Sequence, residues 1–173
     1  MRNHRSRIAS APLRALLATA LLGAIVAGCG RESSTPPAPQ GHAMEEATVR
    51  AGDVTVRASV VPTTRLGEAV ARQYGIEREP GRVLVLVGVR KGPENDEVAL
   101  PAQVRMQASD LRGVAERQVL REVRDETGPQ PALIDYVGTV KVTPPDTLRF
   151  DIQVELDGQA PIRLLFNRDV FPD

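Results

Sequence analysis

Cys29 is the only cysteine in the 173-residue chain, and it stands in the stretch VAGCG, between an apolar run and a polar segment. A lone thiol can serve as a nucleophile, half of an intermolecular disulfide, a metal ligand or a covalent anchor. Nucleophilic thiols need a lowered pKa and a nearby base, and neither flank of Cys29 offers one. The two histidines are His4 and His42, both in the first 47 residues. A Ser–His–Asp arrangement requires an imidazole inside the folded domain, and zinc requires several His or Cys ligands. The sequence after residue 47 holds neither residue type. His42 and Met44, in HAM, are two soft ligands that make at best an incomplete copper site, and they read as solvated linker residues.

Carboxylates are the remaining chemistry. Glycoside hydrolysis needs two at a fixed separation. Asp151 and Glu155 fall on the polar side of one alternating run, while Glu122, Asp125 and Glu126 cluster near another. Alternating charges on a strand are ordinarily its solvated face. PENDE, Pro93 to Glu97, lacks the ligand spacing and glycine of a calcium loop and reads as an acidic turn. No glycine-rich phosphate loop follows a strand and opens a helix. The expectation is a chain with no catalytic, cofactor-binding or metal-ligating residue and with no enzymatic activity. A carboxylate-based hydrolase, or a small-ligand or metal-binding protein acting on envelope material, is the alternative.

The amino-terminal segment carries the address. Its arginines, Arg2, Arg5, Arg7 and Arg14, are not balanced by any acid before residue 29. Without them the 22 basic groups fall to 18 against 22 acidic ones, a net charge of −4. Such a balance gives no reason to expect nucleic acid as a partner. Ala15 to Ala27 form an apolar run of 13 residues, short of the roughly 20 that span a bilayer. A basic start, a short apolar core and small residues at the end read as a signal peptide. VAGC resembles the bacterial lipobox. That resemblance implies cleavage between Gly28 and Cys29, diacylglycerol on the Cys29 sulfur and an acylated new amino terminus. Gly30, in place of aspartate, implies sorting to the outer membrane. Several acyl chains make such anchoring effectively permanent, so the membrane is an expected partner through Cys29. Residues 29–47 then form a lipidated, flexible tether reaching at most roughly 60 Å.

From Thr48 to Asp173 the dominant period is two. Val54, Val56, Ala58 and Val60 alternate with polar residues, as do Val104, Met106 and Ala108, and again Leu148, Phe150, Ile152, Val154 and Leu156. Together with 82–90, 117–124, 132–142 and 161–170 these make seven strand runs, separated by Gly/Pro/Asp-rich turns. The fold class expected is all-β: an immunoglobulin-like antiparallel β-sandwich of about seven strands, residues 48–173, with one short helix. The last hairpin has two possible registers. Only a three-residue loop, Asp157 to Gln159, sets Val154 against Ile162, Ile152 against Leu164 and Phe150 against Phe166, so hydrophobic matching selects it. RLGEAVARQYG places Leu66, Ala69, Val70 and Tyr74 at helical spacing, with Gly75 as the stop. VLVLVGV after it is apolar on both faces, so the helix is expected to cover its outer side, with Gly88 permitting close approach.

Several stretches together resemble an uncharacterised family of small Gram-negative periplasmic proteins, domain of unknown function 4426. They are GDVTV, AVARQYGI, PAQV, REVRD, DTLRFDIQV and RLLFNRDVF, in an order and spacing that cover nearly all of 48–173. The resemblance implies a secreted all-β domain and assigns no activity and no site residues. The chain departs from the family in its lipobox and in DL (Asp110, Leu111), where the family has NL. Composition adds an exclusion: with two Tyr, three Phe and no Trp, stacking on bases and aromatic cages lack their material. The functional expectation is a periplasm-facing lipoprotein, a non-catalytic binding module with a protein partner in the cell envelope.

Overall fold

A computed structural model describes residues 45–125 and 133–172. Gly28, Cys29, His42, Met44, the signal peptide and Glu126 lie outside the described residues. Ten strands build two antiparallel sheets. They are β1 (Ala47–Ala51), β2 (Val54–Pro62), β3 (Arg82–Lys91), β4 (Val98–Ala99), β5 (Gln103–Ser109), β6 (Ala115–Val119), β7 (Arg121–Asp125), β8 (Leu133–Lys141), β9 (Asp146–Glu155) and β10 (Ile162–Val170). One sheet runs β1-β2-β3-β8-β7, with β4 also on β3; the other runs β10-β9-β5-β6. Among the described residues, the all-β sandwich with one short α-helix is therefore observed.

Period-two alternation builds the core between the sheets. Val54, Val56 and Ala58 of β2, Val83, Val85, Val87 and Val89 of β3, Val104 and Met106 of β5, and Phe150, Ile152 and Val154 of β9 are all buried there. β-branched side chains suit this half-buried pleat. The β9–β10 hairpin adopts the register that hydrophobic matching selects, with Val154 opposite Ile162, Ile152 opposite Leu164 and Phe150 opposite Phe166. The two phenyl rings stack with centroids 4.9 Å apart.

Four details differ from the sequence reading. The run 117–124 is not one strand: β6 pairs with β5 in one sheet and β7 with β8 in the other. The chain changes sheets at Leu120, which is buried in the core while its amide donates to the Val104 carbonyl at 2.8 Å. The tether ends earlier than residue 47, because Ala47 pairs with Ala58 and packs against the core. The helix α1 (Glu68–Tyr74) does lie on the outer face of β3, as Leu66, Ala71 and Tyr74 pack over Leu84, Leu86 and Val137. Its buried face is carried by Ala71, however, while Ala69 and Val70 are exposed. Gly88 does not admit the helix; a Cβ there would meet the Arg90 guanidinium at 3.4 Å.

Candidate functional site

Polar side chains converge in two places. The first is on the outer face of the β1–β2–β3–β8–β7 sheet, in the gap between α1 and the acidic turn. β2 and β3 carry Arg57 and Arg90 outward, because their alternate residues are committed to the core. Arg57 forms two hydrogen bonds with the Glu97 carboxylate, at 2.6 and 2.8 Å. Those bonds hold Glu97 below the usual carboxylate range and raise Arg57. Arg90 donates to Asp135 Oδ1 and to the Ile134 carbonyl, both at 2.8 Å, while the Tyr74 hydroxyl donates to Asp135 Oδ2 at 2.9 Å. Burial, and then the Asp135 carboxylate, push the Tyr74 phenol up to about 12. The gap beside Gly88 measures about 130 Å³ and is bordered by Glu46, Ser59 and Leu86 as well as the two arginines. Arg57, Glu97, Arg90 and Asp135 are paired with one another, so the cluster fastens helix and turn to the sheet.

The second is a cleft of about 610 Å³ between the sheets at one end of the sandwich. Ala108, Val140, Val142 and Leu148 contribute apolar surface to it, and Arg82, Arg112 and Lys141 bring positive charge against Glu79, Asp110, Glu116 and Asp146. A cleft of this size falls in the range of ligand sites, 300–1,000 Å³. Glu79 pairs with Arg82 and Asp110 with Arg112. Asp110 also organises the β5–β6 turn: its Oδ1 accepts from the Val114 amide at 2.8 Å, and its own amide donates to the Val114 carbonyl at 3.1 Å. Burial pushes this carboxyl up, but the Arg112 and Val114 hydrogen bonds outweigh burial and hold it below the usual range. Glu116 and Asp146 make no ion pair among the described residues. Its lining is mostly polar, with charges of both signs and a minor apolar share, which suits contact with a polar surface.

Of the carboxylates singled out in the sequence, Asp151, Glu155, Glu122 and Asp125 are described, and none of them lines this cleft. Asp151 is paired with Arg163 through bonds of 2.8 and 2.6 Å that hold it below the carboxylate range and raise Arg163. Glu155 is paired with Arg105, and Glu122 with Arg124. Each of these three acids is matched to an arginine on its own strand or a neighbouring one, as on a solvated sheet face. PENDE is the acidic turn, and its Glu97 is the partner of Arg57. Asp110 and Arg112 are the site residues that sequence reasoning passed over. Their signal was there in DLRG, a turn opened by Asp and closed by Gly.

Among the described residues no three His, Cys, Asp or Glu side chains group as a metal site, and no helix is long and apolar enough to cross a membrane. No curated protein matches the chain. The crystal structure of a DUF4426 family protein from Pseudomonas aeruginosa PAO1 is similar to it, with a TM-score of 0.61 and 26% identity. The similarity covers 74% of this chain and 96% of that one. A family model described as "Domain of unknown function (DUF4426)" matches residues 48–173, all of the sandwich except its first residue, Ala47. The chain belongs to the DUF4426 family.

Proposed function

We propose that this protein is a membrane-anchored lipoprotein of the cell envelope, lipidated on Cys29 and facing the periplasm from the outer membrane, whose sandwich is a non-catalytic interaction module. The cleft carries the reading. Its mostly polar lining, with charges of both signs, favours contact with a protein partner, and two of its four carboxylates are already neutralised by arginine. VAGC supplies the anchor, and the absence of cysteine after Cys29 leaves the module to be held by its packed core alone. The partner is a protein of the same envelope, met through the charged rim of the cleft that carries Arg112. Crosslinking in intact cells, followed by affinity capture of the lipidated chain, tests this. A reproducible envelope partner whose capture is lost on changing Arg112 to Glu is the result expected. Capture of no partner, or capture indifferent to that change, would overturn the role. Changing Cys29 to Ala should leave an unlipidated precursor, and unchanged membrane partition would refute the anchor.

One observation favours a second reading, a carboxylate-based hydrolase. Glu116 and Asp146 both line the cleft without an arginine partner. If they act as an acid and base pair, E116Q and D146N each abolish turnover of envelope glycans or peptides while the fold is retained. Activity that survives both changes removes this reading.

A further inference from the structure

The strand registers identify which parts of the chain share an end of the sandwich. In one sheet Ser109 pairs with both Arg149 and Ala115, Arg168 with Leu148, and Val170 with Asp146. The β5–β6 turn, the start of β9 and the end of β10 therefore lie together. In the other sheet Pro62, Val83 and Val140 form one row. The cleft is lined from both sets of residues, so they belong to the same end.

That end exposes apolar surface. Val114 is 67% exposed, Phe171 62% and Leu111 60%. Leu111 and Val114 are not loosely displayed. The turn that carries them is closed by the Asp110 carboxylate on the Val114 amide and by the Gly113 amide on the Asp110 carbonyl, at 2.8 and 3.1 Å. A turn fixed in this way holds two aliphatic side chains in water at this end of the sandwich. Glu45, the first described residue, is at the same end. Arg168 donates to its carbonyl at 2.6 Å and pairs with its carboxylate at 2.5 Å. The chain that leads back to Cys29 therefore joins the domain where these apolar side chains project.

We propose that this end docks on the lipid surface holding the Cys29 acyl chains, with Leu111, Val114 and Phe171 entering the interface; the inference rests on the lipid-anchored reading above. Docking is a separate statement from anchoring. Residues 30–44 can span on the order of 50 Å, enough to let an undocked domain stand well clear of the bilayer. The cleft end carries charges of both signs in near balance, Arg82, Arg112 and Lys141 against Glu79, Asp110, Glu116 and Asp146. Apolar insertion therefore drives the contact, which is insensitive to salt and to headgroup charge. The cleft then opens at the bilayer surface.

The chain has no tryptophan, so a single introduced one is its only indole emitter. Full-length lipidated L111W, F171W and V98W proteins are reconstituted on phosphatidylcholine vesicles with and without brominated acyl chains. Val98 pairs with Lys91 at the opposite end and is also exposed, 43%, so it is the control. The result expected is a blue shift and loss of most emission for L111W and F171W in brominated vesicles, unchanged by salt, with V98W unaffected. Cosedimentation of the proteins with L111W and F171W unquenched would overturn docking while leaving the anchor standing. Equal quenching of all three would overturn the orientation. If the lipidated proteins fail to cosediment, the anchor falls and docking with it. Unquenched L111W whose position 111 photo-crosslinks to an envelope protein in intact cells would overturn lipid docking and leave the whole of this end to the protein partner proposed above.

Discussion

Tyr74 of α1 and Asp135 of β8 meet through a 2.9 Å hydrogen bond, and Arg90 of β3 holds the other oxygen of the same carboxylate at 2.8 Å. Two consecutive elements, α1 and β3, are thus joined to the distant β8 at one buried charge. Removing Arg90 while leaving Asp135 strands a carboxylate that is only 8% exposed. R90M should cost about 3–5 kcal/mol, as broken buried pairs do, and R90M with D135L should cost much less. Denaturant midpoints of the two proteins decide this; equal losses would show that the pair is not coupled.

The Tyr74 phenol gives the same cluster a pH signature. Its folded pKa, about 12, lies above the ordinary phenol value of 10.0. The folded state therefore holds this proton more tightly, and the stability so gained is complete below about pH 10 and is lost as pH rises through 12. Only two tyrosines are present, so phenolate absorbance resolves them. Y74F should remove the component near 12 and flatten the loss of stability over that window. A component near 12 that persists in Y74F would assign it to Tyr136.

Glu97 acts at the opposite end of the pH scale. Its bonds from Arg57 depress its folded pKa below 4.5, so what the pair contributes is present above that value and is lost as pH falls through the depressed one. The acidic turn should loosen first in acid. Amide exchange across 92–98 should rise as the pH is lowered below about 4.5, and E97Q should show the faster exchange already at neutral pH. Exchange that is the same in both proteins at neutral pH would mean the pair does not hold the turn.

Gly138 of β8 lies under the point where the chain changes sheets. A Cβ there would sit 2.6 Å from Gln118 Oε1 and 2.6 Å from Leu120 Cδ2. Gln118 itself donates to the Thr139 carbonyl at 2.9 Å, so it is not free to swing away. G138A should destabilise by about 1–2 kcal/mol, the range of modest overpacking. L120A, which empties a core position, should cost about 2–5 kcal/mol. Thermal or denaturant midpoints measure both, and an unshifted G138A would show that the crossing has slack.

The boundary of the folded part is also testable. Glu45 is paired with Arg168, and Ala47 sits in β1 against the core. A chain beginning at Glu45 should fold as the full domain does, and one beginning at Thr48 should be less stable by about 1 kcal/mol, the scale of a lost charged hydrogen bond and a lost strand end. Equal midpoints for the two chains would return the boundary to residue 48.

Much of this architecture is legible because alternation reports burial directly. β2, β5 and β9 each present one apolar face, and the β9–β10 register follows from matching those faces. β1 and β4 escape such a reading because they are short: ATVRA alternates over only five residues, and VA joins β3 through just two residue pairs. The split at Leu120 escaped notice for another reason: charged residues on both sides continue one apparent strand, and only the sheet each half joins tells them apart. In α1 a phase error of two residues exchanged Ala69 for Ala71, because alanine and valine mark a helix face weakly. The cleft and the Tyr74–Asp135–Arg90 cluster depend on contacts across 45 or 61 positions of chain. No local pattern encodes such distances.

The change of sheet at Leu120 has a mechanical meaning. β6 and β7 follow one another with a single residue between them, yet each edges a different sheet. Pulling one sheet away from the other would drag this shared run out of both ladders at once. The two layers are in effect stitched, so neither can peel off as a separate unit, and unfolding should proceed as one all-or-none event rather than layer by layer.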